Sequence, residues 1–159
     1  MSRPQITFLF LLSFALLSSC SFLAPKKSID DPLKDFFEDS PPKYVEASLG
    51  LTEKGREELK KENFALATEH FNKALTLDPY NPFAYYFLGS LSYQRKNYQE
   101  SLGFLYKTIQ FSKKFLFWKS QAYLLSGLNW KALNNRKMAK TYFKKAKLID
   151  PKIDLPPLD

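Results

Sequence analysis

The sequence predicts an all-α protein in which three helical hairpins stack into an α-α superhelix behind a flexible N-terminal arm. Glycines recur at a nearly constant interval, and polar breaks divide each interval into two stretches with helical apolar spacing. Only 5 of the 159 residues are glycine and 45% are hydrophobic, a composition that suits a helical core. The three observations together favour repeated helices over strands.

The repeat consists of positions that recur with the same separations. Gly55, Gly89 and Gly127 are 34 and 38 residues apart, and three further sets of small or apolar residues keep those separations. These sets are Ala67, Ser101 and Ala139, then Phe71, Leu105 and Phe143, then Ala74, Thr108 and Ala146. The difference of four residues indicates an insertion between Leu105 and Gly127. Because one hairpin cannot bury its apolar face alone, such copies stack on their neighbours.

Breaks at residues 62–63, 96–97 and 134–135 split each copy into two helices, and Pro79 and Pro151 end the outer copies. With Leu-Gly or Gly in the first helix and a small-aromatic-small pattern in the second, the chain resembles the tetratricopeptide repeat (TPR) family. The resemblance covers residues 48–153, with repeats at about 48–81, 82–119 and 120–153 and a tail at 154–159. It implies that the first helices line a concave groove that receives a peptide.

Residues 1–19 predict an export signal. Arg3 is followed by an apolar run from Ile6 to Leu17, which as a helix is about 18 Å long, too short for a hydrocarbon core of roughly 30 Å. The sequence Leu17-Ser18-Ser19-Cys20 resembles the bacterial lipobox, which implies that Cys20 is lipidated and becomes the first residue. We therefore expect a membrane-anchored lipoprotein, in the outer membrane if the cell has two. The alternative is an ordinary signal peptide that contains a buried Cys.

Residues 20–47 are expected to form a flexible, lipid-anchored tether because they are rich in proline and mixed charge. One segment departs from this pattern. Asp31 and Pro32 resemble the start of a helix, and Leu33, Phe36 and Phe37 follow at helical spacing. Three hypotheses remain open for this segment: it packs on the first repeat, it is a docking motif, or it is a lid in the protein's own groove.

Composition argues against catalysis. The chain has one Cys and one His, His70, so no internal disulfide or Cys/His zinc site can form, and a Cys–His nucleophile pair has no second candidate. We predict no enzyme activity, cofactor or metal, and assign His70 no role. Residues 79–149 contain thirteen bases and one acid, a net charge of +12. Such a charge would suggest nucleic acid as a partner, but export removes the chain from DNA and RNA.

The candidate peptide groove is aromatic with basic ends. Tyr86 and Tyr93 are two helical turns apart and therefore face the same side, away from the packing residues Tyr85, Leu88 and Gly89. The predicted groove residues are Arg56, Lys60, Phe83, Tyr86, Tyr93, Gln121 and Lys131. The carboxylate clamp of TPR proteins that bind chaperone tails is not matched. Its positions hold Thr52, Phe87 and Leu125.

These observations predict a scaffold that binds another envelope protein and contacts the membrane through its lipid. The alternative hypothesis is an electrostatic adaptor whose basic C-terminal half binds anionic lipid or envelope polymer. The stripe of Lys140, Lys144 and Lys147 fits either that function or a polar cap on the last repeat. The insertion, residues 111–119, interleaves aromatics with lysines and either extends helices or forms a membrane-facing or partner-facing edge.

Overall fold

The computed structural model describes residues 27–158, so the signal sequence and Cys20 lie outside the described residues. Six α-helices follow a short 3-10 turn, Leu33–Phe36. The helices are α1 (Lys43–Lys60), α2 (Phe64–Leu77), α3 (Pro82–Gln94), α4 (Tyr98–Phe111), α5 (Leu116–Ala132) and α6 (Arg136–Ile149). They pair as three antiparallel hairpins, α1 with α2, α3 with α4 and α5 with α6. The predicted all-α superhelix is confirmed.

The three hairpins turn in the same way, at the predicted polar breaks. Glu62, Lys96 and Asn134 each adopt a left-handed backbone with φ between 59° and 62°. The next residue in each turn is an asparagine whose backbone N–H donates to the carbonyl five residues earlier. These bonds are Asn63 to Glu58, Asn97 to Ser92 and Asn135 to Trp130, at 2.8–2.9 Å. Such bonds satisfy the last carbonyls of a helix and reverse the direction of the chain. The three copies therefore share the backbone conformation of their turns as well as their sequence pattern.

The recurring glycines lie where the two helices of each hairpin cross. A methyl group on Gly55 would overlap the ring of Phe71, and one on Gly127 would overlap the ring of Phe143. At Gly89 the constraint is milder, because a Cβ atom would lie 3.0 Å from Cγ of Leu105. The sequence periodicity therefore marks close helix contacts, with one large side chain filling the space above each glycine.

The insertion becomes one additional helical turn. The first residue of α5, Leu116, precedes Gly127 by 11 residues, whereas the first residue of α3, Pro82, precedes Gly89 by 7 residues. The difference of four matches the 3.6 residues of a helical turn. In the same way α1 begins at Lys43, five residues before the predicted domain boundary at 48. The middle first helix, α3, is thus one turn shorter than its two neighbours.

Buried polar side chains connect successive elements. The side-chain oxygen of Asn81 accepts hydrogen bonds from the backbone N–H groups of Phe83 and Ala84 and so caps α3. Its amide nitrogen donates to the hydroxyls of Ser48, at 2.8 Å, and Thr52, at 3.0 Å, on α1. Because all of these groups are buried, their mutual bonding fixes how the second hairpin is placed on the first.

Both chain ends of the described range pack on the repeats. Residues 27–41, which the sequence analysis assigned to the flexible tether, lie against α1, α3 and α5 in this structure. We call residues 27–41 the N-terminal segment. At the other end Ile153 is buried, and Lys147 donates a hydrogen bond to its carbonyl at 2.9 Å. Lys140, Lys144 and Lys147 are otherwise exposed, as a polar cap on α6 requires.

Tyr86 belongs to the core, although its spacing placed it on the groove side of α3. It is 7% exposed, and its ring centroid lies 5.1 Å from that of Trp118 and 5.5 Å from that of Phe87. Trp118 lies on the additional turn of α5, and the spacing of residues in the sequence does not indicate which way the side chains of that turn point. Removal of the phenol from water disfavours its charged form, so burial raises the pKa of Tyr86 above its ordinary value of 10.

We predict that the crossings at Gly127 and Gly89 differ in their tolerance of a methyl group. Gly127→Ala should destabilise the fold by about 2 kcal/mol because the Phe143 ring must move, and Gly89→Ala should cost less. The control is Gly50→Ala, where nothing lies within 4 Å of the added methyl, so stability should be unchanged or rise by up to about 1 kcal/mol. Urea unfolding of the three variants measures this. Equal losses at all three positions would contradict the assignment.

We also predict that Tyr86 makes the fold sensitive to alkaline pH. Folded Tyr86 keeps its proton above pH 10, whereas the unfolded chain loses it, so this contribution to stability is present below pH 10 and lost as pH rises. The free energy of unfolding of Tyr86→Phe should therefore fall less with pH than that of the native chain, by up to about 1.4 kcal/mol for each pH unit above 10. Urea unfolding between about pH 8 and 11 tests it, with Tyr80→Phe, at a ring that is 69% exposed, as the control. Identical pH dependence in both variants would contradict the prediction.

Candidate functional site

The candidate site is the face formed by the first helices of the hairpins. Helices α1, α3 and α5 lie side by side, and the second helices pack behind them. We call the face of α1, α3 and α5 the groove. In this structure the N-terminal segment lies on it and contacts α1 of the first repeat as well as rings of α3 and α5. Two of the three sequence hypotheses for Leu33–Phe37 therefore describe the observed arrangement: packing on the first repeat, and a lid in the protein's own groove.

Two charged side chains of α1 hold the main chain of the N-terminal segment. The Arg56 guanidinium donates to the carbonyl oxygen of Asp31 at 2.9 Å and to that of Ile29. Glu53 accepts the backbone N–H of Leu33 at 2.7 Å and pairs with Arg56 at 2.8 Å. Arg56 is only 5% exposed, and a buried guanidinium is stable only when its charge and its donors are satisfied. The pair therefore forms a polar grip on a polypeptide backbone.

Aromatic side chains hold the other half of the segment. The Phe36 ring packs on Trp118 with centroids 5.5 Å apart, and also contacts Phe83 and Phe117. The Phe37 ring lies 5.1 Å from Phe115 and 6.3 Å from Phe83. These rings lie over the start of α3, where the shorter helix leaves space between the additional turns of α1 and α5. Offset and edge-on aromatic contacts of this kind add to the free energy of burial.

The structure places three of the seven predicted groove residues in contact with the N-terminal segment and a fourth, Tyr86, in the core behind them. Arg56 binds its carbonyls, and Phe83 contacts both of its phenylalanines. Lys60 pairs with Asp30 at 3.3 Å, but both side chains are largely exposed, so the pair contributes little. Tyr86 lies beneath, against Trp118.

The other three predicted residues lie apart from the N-terminal segment's contacts. Tyr93 is half-buried near the end of α3, with its ring 5.7 Å from that of Tyr98. Gln121 is half-buried on α5. Lys131, near the end of α5, donates a hydrogen bond to the carbonyl of Pro157 in the C-terminal tail. These three positions mark the part of the groove that the hydrogen bonds and ring contacts of the segment do not reach.

The predicted basic end of the groove on the first repeat is neutralised in this structure. Arg56 and Lys60 are both paired with carboxylates, and the neighbouring cleft of about 740 Å³, between α1 and the N-terminal segment, is acidic. Its lining includes a single lysine, Lys34, and seven acidic residues. These are Asp30, Asp35, Glu38, Asp39, Glu46, Glu53 and Glu57. This acidity could not be predicted from the sequence, because local spacing does not place the acids of residues 30–39 beside α1.

The positions of the carboxylate clamp cannot bind a carboxylate here. Thr52 is buried, donates to the Ser48 carbonyl at 2.9 Å and accepts a bond from Asn81. Phe87 stacks on Phe71 with centroids 5.5 Å apart, and Leu125 is buried. The side chains at these positions thus belong to the core.

Glu53 and Trp118 are the two important residues that the sequence analysis did not select. The spacing of Glu53 and Arg56, three residues on one helix, would have indicated an ion pair. The burial of Trp118 depended on the helical phase of the insertion, which the aligned repeat positions do not include.

Within residues 27–158, no cluster of His, Cys, Asp and Glu is arranged to bind a metal ion. No helix in the described part of the chain is long and apolar enough to cross a membrane.

The tetratricopeptide repeat family model matches residues 50–81 and 116–153, which contain parts of the first hairpin and the whole of the third. The middle hairpin lies outside the match, although it has the same turn and the same glycine crossing. None of the curated proteins compared matches the sequence.

Two solved structures have a similar fold. The N-terminal domain of stress-induced protein-1 (STI-1) from C. elegans is 19% identical, with a TM-score of 0.64, over 69% of this chain and 89% of that chain. The first TPR of Spaghetti (RPAP3), bound to the HSP90 peptide SRMEEVD, is 21% identical, with a TM-score of 0.62, over 69% of this chain and 83% of that chain. Residues 50–81 and 116–153 therefore match the tetratricopeptide repeat model, and the described part of the chain has the fold of a TPR superhelix with three hairpins.

Proposed function

We propose that this protein is a lipid-anchored scaffold of the bacterial cell envelope that binds a segment of a partner protein in its groove. The observation that carries the proposal is the grip of Arg56 and Glu53 on main-chain groups of residues 29–33. A surface that bonds backbone carbonyls and an N–H, with apolar contacts beside them, is suited to polypeptide. A TPR fold is typically a non-catalytic protein-interaction module, which accords with this role.

The similar TPR of Spaghetti (RPAP3) binds an HSP90 peptide, which supports a peptide as the ligand class. The partner proposed here is of a different kind. Thr52, Phe87 and Leu125 are buried at the clamp positions, and carboxylates line the cleft beside α1. An acidic tail would find no clamp at these positions. We therefore propose a partner segment bound chiefly through its backbone and apolar side chains.

The anchor is the second part of the proposal. It rests on the apolar run of residues 6–17, the small residues before Cys20, and the absence of any other cysteine from the sequence. Two or three acyl chains on one terminus hold a protein on a bilayer stably, whereas one does not. With Ser21 after the cysteine, the outer membrane is the proposed location in a cell with two membranes.

We expect Cys20→Ala to abolish lipidation and leave an uncleaved or released protein, because only the thiol can carry the diacylglycerol. Metabolic labelling with a palmitate analogue, followed by fractionation of membranes, measures both effects. Ser19→Ala is the matched control, because a small residue before the cysteine is retained and labelling should persist. Label that persists in the Cys20 variant would refute the lipobox assignment.

A second candidate function is electrostatic binding of anionic lipid or polymer, and one surface favours it. At the hairpin end where α5 begins, Tyr80 is 69% and Leu116 57% exposed, and Lys113 and Lys114 are exposed beside them. Exposed aromatic and aliphatic side chains among lysines suit an anionic bilayer surface. This candidate needs no peptide in the groove.

We predict that a photo-crosslinking residue at Gln121, in the groove, captures one segment of one envelope protein in living cells. The same residue at Lys140, on the exposed face of α6, is the matched control and should capture no such segment. Crosslinked peptides are identified by mass spectrometry, and binding of the captured segment is then measured at increasing salt. Affinity that is retained at moderate salt and depends on the segment's sequence supports the scaffold. Affinity that falls steeply with salt, whatever the sequence, supports the electrostatic adaptor instead.

A further inference from the structure

We propose that residues 29–37 are a resident ligand of the groove, and that the partner presents the same pattern and displaces them. The pattern is an apolar residue followed, three and four positions later, by two aromatic residues; the apolar residue and the first aromatic residue lie on one 3-10 turn, and the second aromatic residue follows it in an extended conformation. This inference rests on the proposed function and names the kind of partner segment that the groove accepts.

The contacts of residues 29–33 resemble those of a bound peptide more than those of a core element. They use backbone groups: two carbonyls accept from Arg56, and one N–H donates to Glu53. Backbone groups are present in any polypeptide, so Arg56 and Glu53 can bind another polypeptide along the same path. Arg56 and Glu53 also pair with each other at 2.8 Å, which keeps both side chains in place when the segment leaves.

Side-chain contacts of residues 33–37 define which sequence the groove accepts. The 3-10 turn Leu33–Phe36 places residues three apart on the same side, so Leu33 and Phe36 both face the repeats. Leu33 is completely buried, and Phe36 and Phe37 pack on Phe83 and the start of α5. Lys34 and Asp35, between Leu33 and Phe36, are exposed. The groove therefore does not determine which residues a ligand carries at these two positions.

The segment is attached weakly enough to exchange. Its only helix is one turn of four residues without a side-chain cap, and its two phenylalanines are only partly buried. The hairpins have their own closures, with Phe71, Leu105 and Phe143 above their glycines, and none of these involves the segment. Pro41 and Pro42 join the segment to α1, so its effective concentration at the groove is high, on the order of millimolar. A partner of the same pattern therefore competes with an intramolecular ligand.

The test measures binding of a fluorescent peptide of residues 28–40, SIDDPLKDFFEDS, to the full chain in detergent micelles. Leu33→Asp with Phe36→Asp releases the segment without altering α1, α3 or α5. We expect this variant to bind the peptide at least tenfold more tightly than the native chain. The matched control, Lys34→Ala with Asp35→Ala, changes exposed side chains of the same segment and should bind as weakly as the native chain. A peptide with aspartate at the Leu33 and Phe36 positions should not bind.

Three results would overturn the proposal. The first is loss of helical circular dichroism in the released variant, which would make the segment part of the fold. The second is a folded released variant that does not bind the peptide. The third is peptide binding that survives Arg56→Met in the released variant. The Gln121 crosslink is measured in the same variants, and its yield should rise on release. A Gln121 crosslink to the partner that persists while the peptide of residues 28–40 does not bind would overturn only the proposal that residues 29–37 are a resident ligand. Peptide binding without any crosslinked partner overturns only the proposed function.

Discussion

The structure depends on the close crossing of the two helices within each hairpin. At Gly55 and Gly127 the space of a missing side chain is filled by a phenylalanine ring from the opposite helix, and at Gly89 by a leucine. This contact fixes the distance between helices, because interiors are packed densely and cannot absorb another methyl group. The left-handed residue in each turn then sets the direction of return. With both fixed, successive hairpins stack in one orientation and leave their first helices side by side, which is the origin of the groove.

The length of the first helices gives the groove its shape. Helix α3 begins one turn later than α1 and α5 relative to its glycine, so the face has a depression above Phe83. The additional turn of α5 carries Phe117 and Trp118 to one side of this depression. Apolar surface of this kind is costly in water and must be covered. The N-terminal segment covers it, and the same physical requirement that stabilises the fold therefore also defines a binding surface.

Charge is distributed differently in space than along the chain. Residues 79–149 are strongly basic, yet the cleft beside α1 is lined by seven acidic residues. The acids come from the N-terminal segment and from α1, so they become neighbours only when the segment lies on the repeats. Arg56 lies between these two groups and is neutralised by Glu53. The groove thus offers its backbone contacts without a net positive field, and the lysines of α6 remain on a separate, exposed face.

The sequence by itself determined the helical class, the number of hairpins, the turns and the glycine crossings, because each follows from local spacing that repeats three times. It also identified Arg56 and Phe83 as residues on the groove side. Only the tertiary structure decided that Tyr86 packs into the core, that the insertion lengthens α5 by a turn, and that Leu33–Phe37 lies in the groove. These outcomes depend on contacts between residues far apart in the chain, such as Phe36 with Trp118. The N-terminal segment occurs only once in the chain, so no comparison with another copy can indicate what it contacts. Its position is determined by the complementary surface that the folded repeats present.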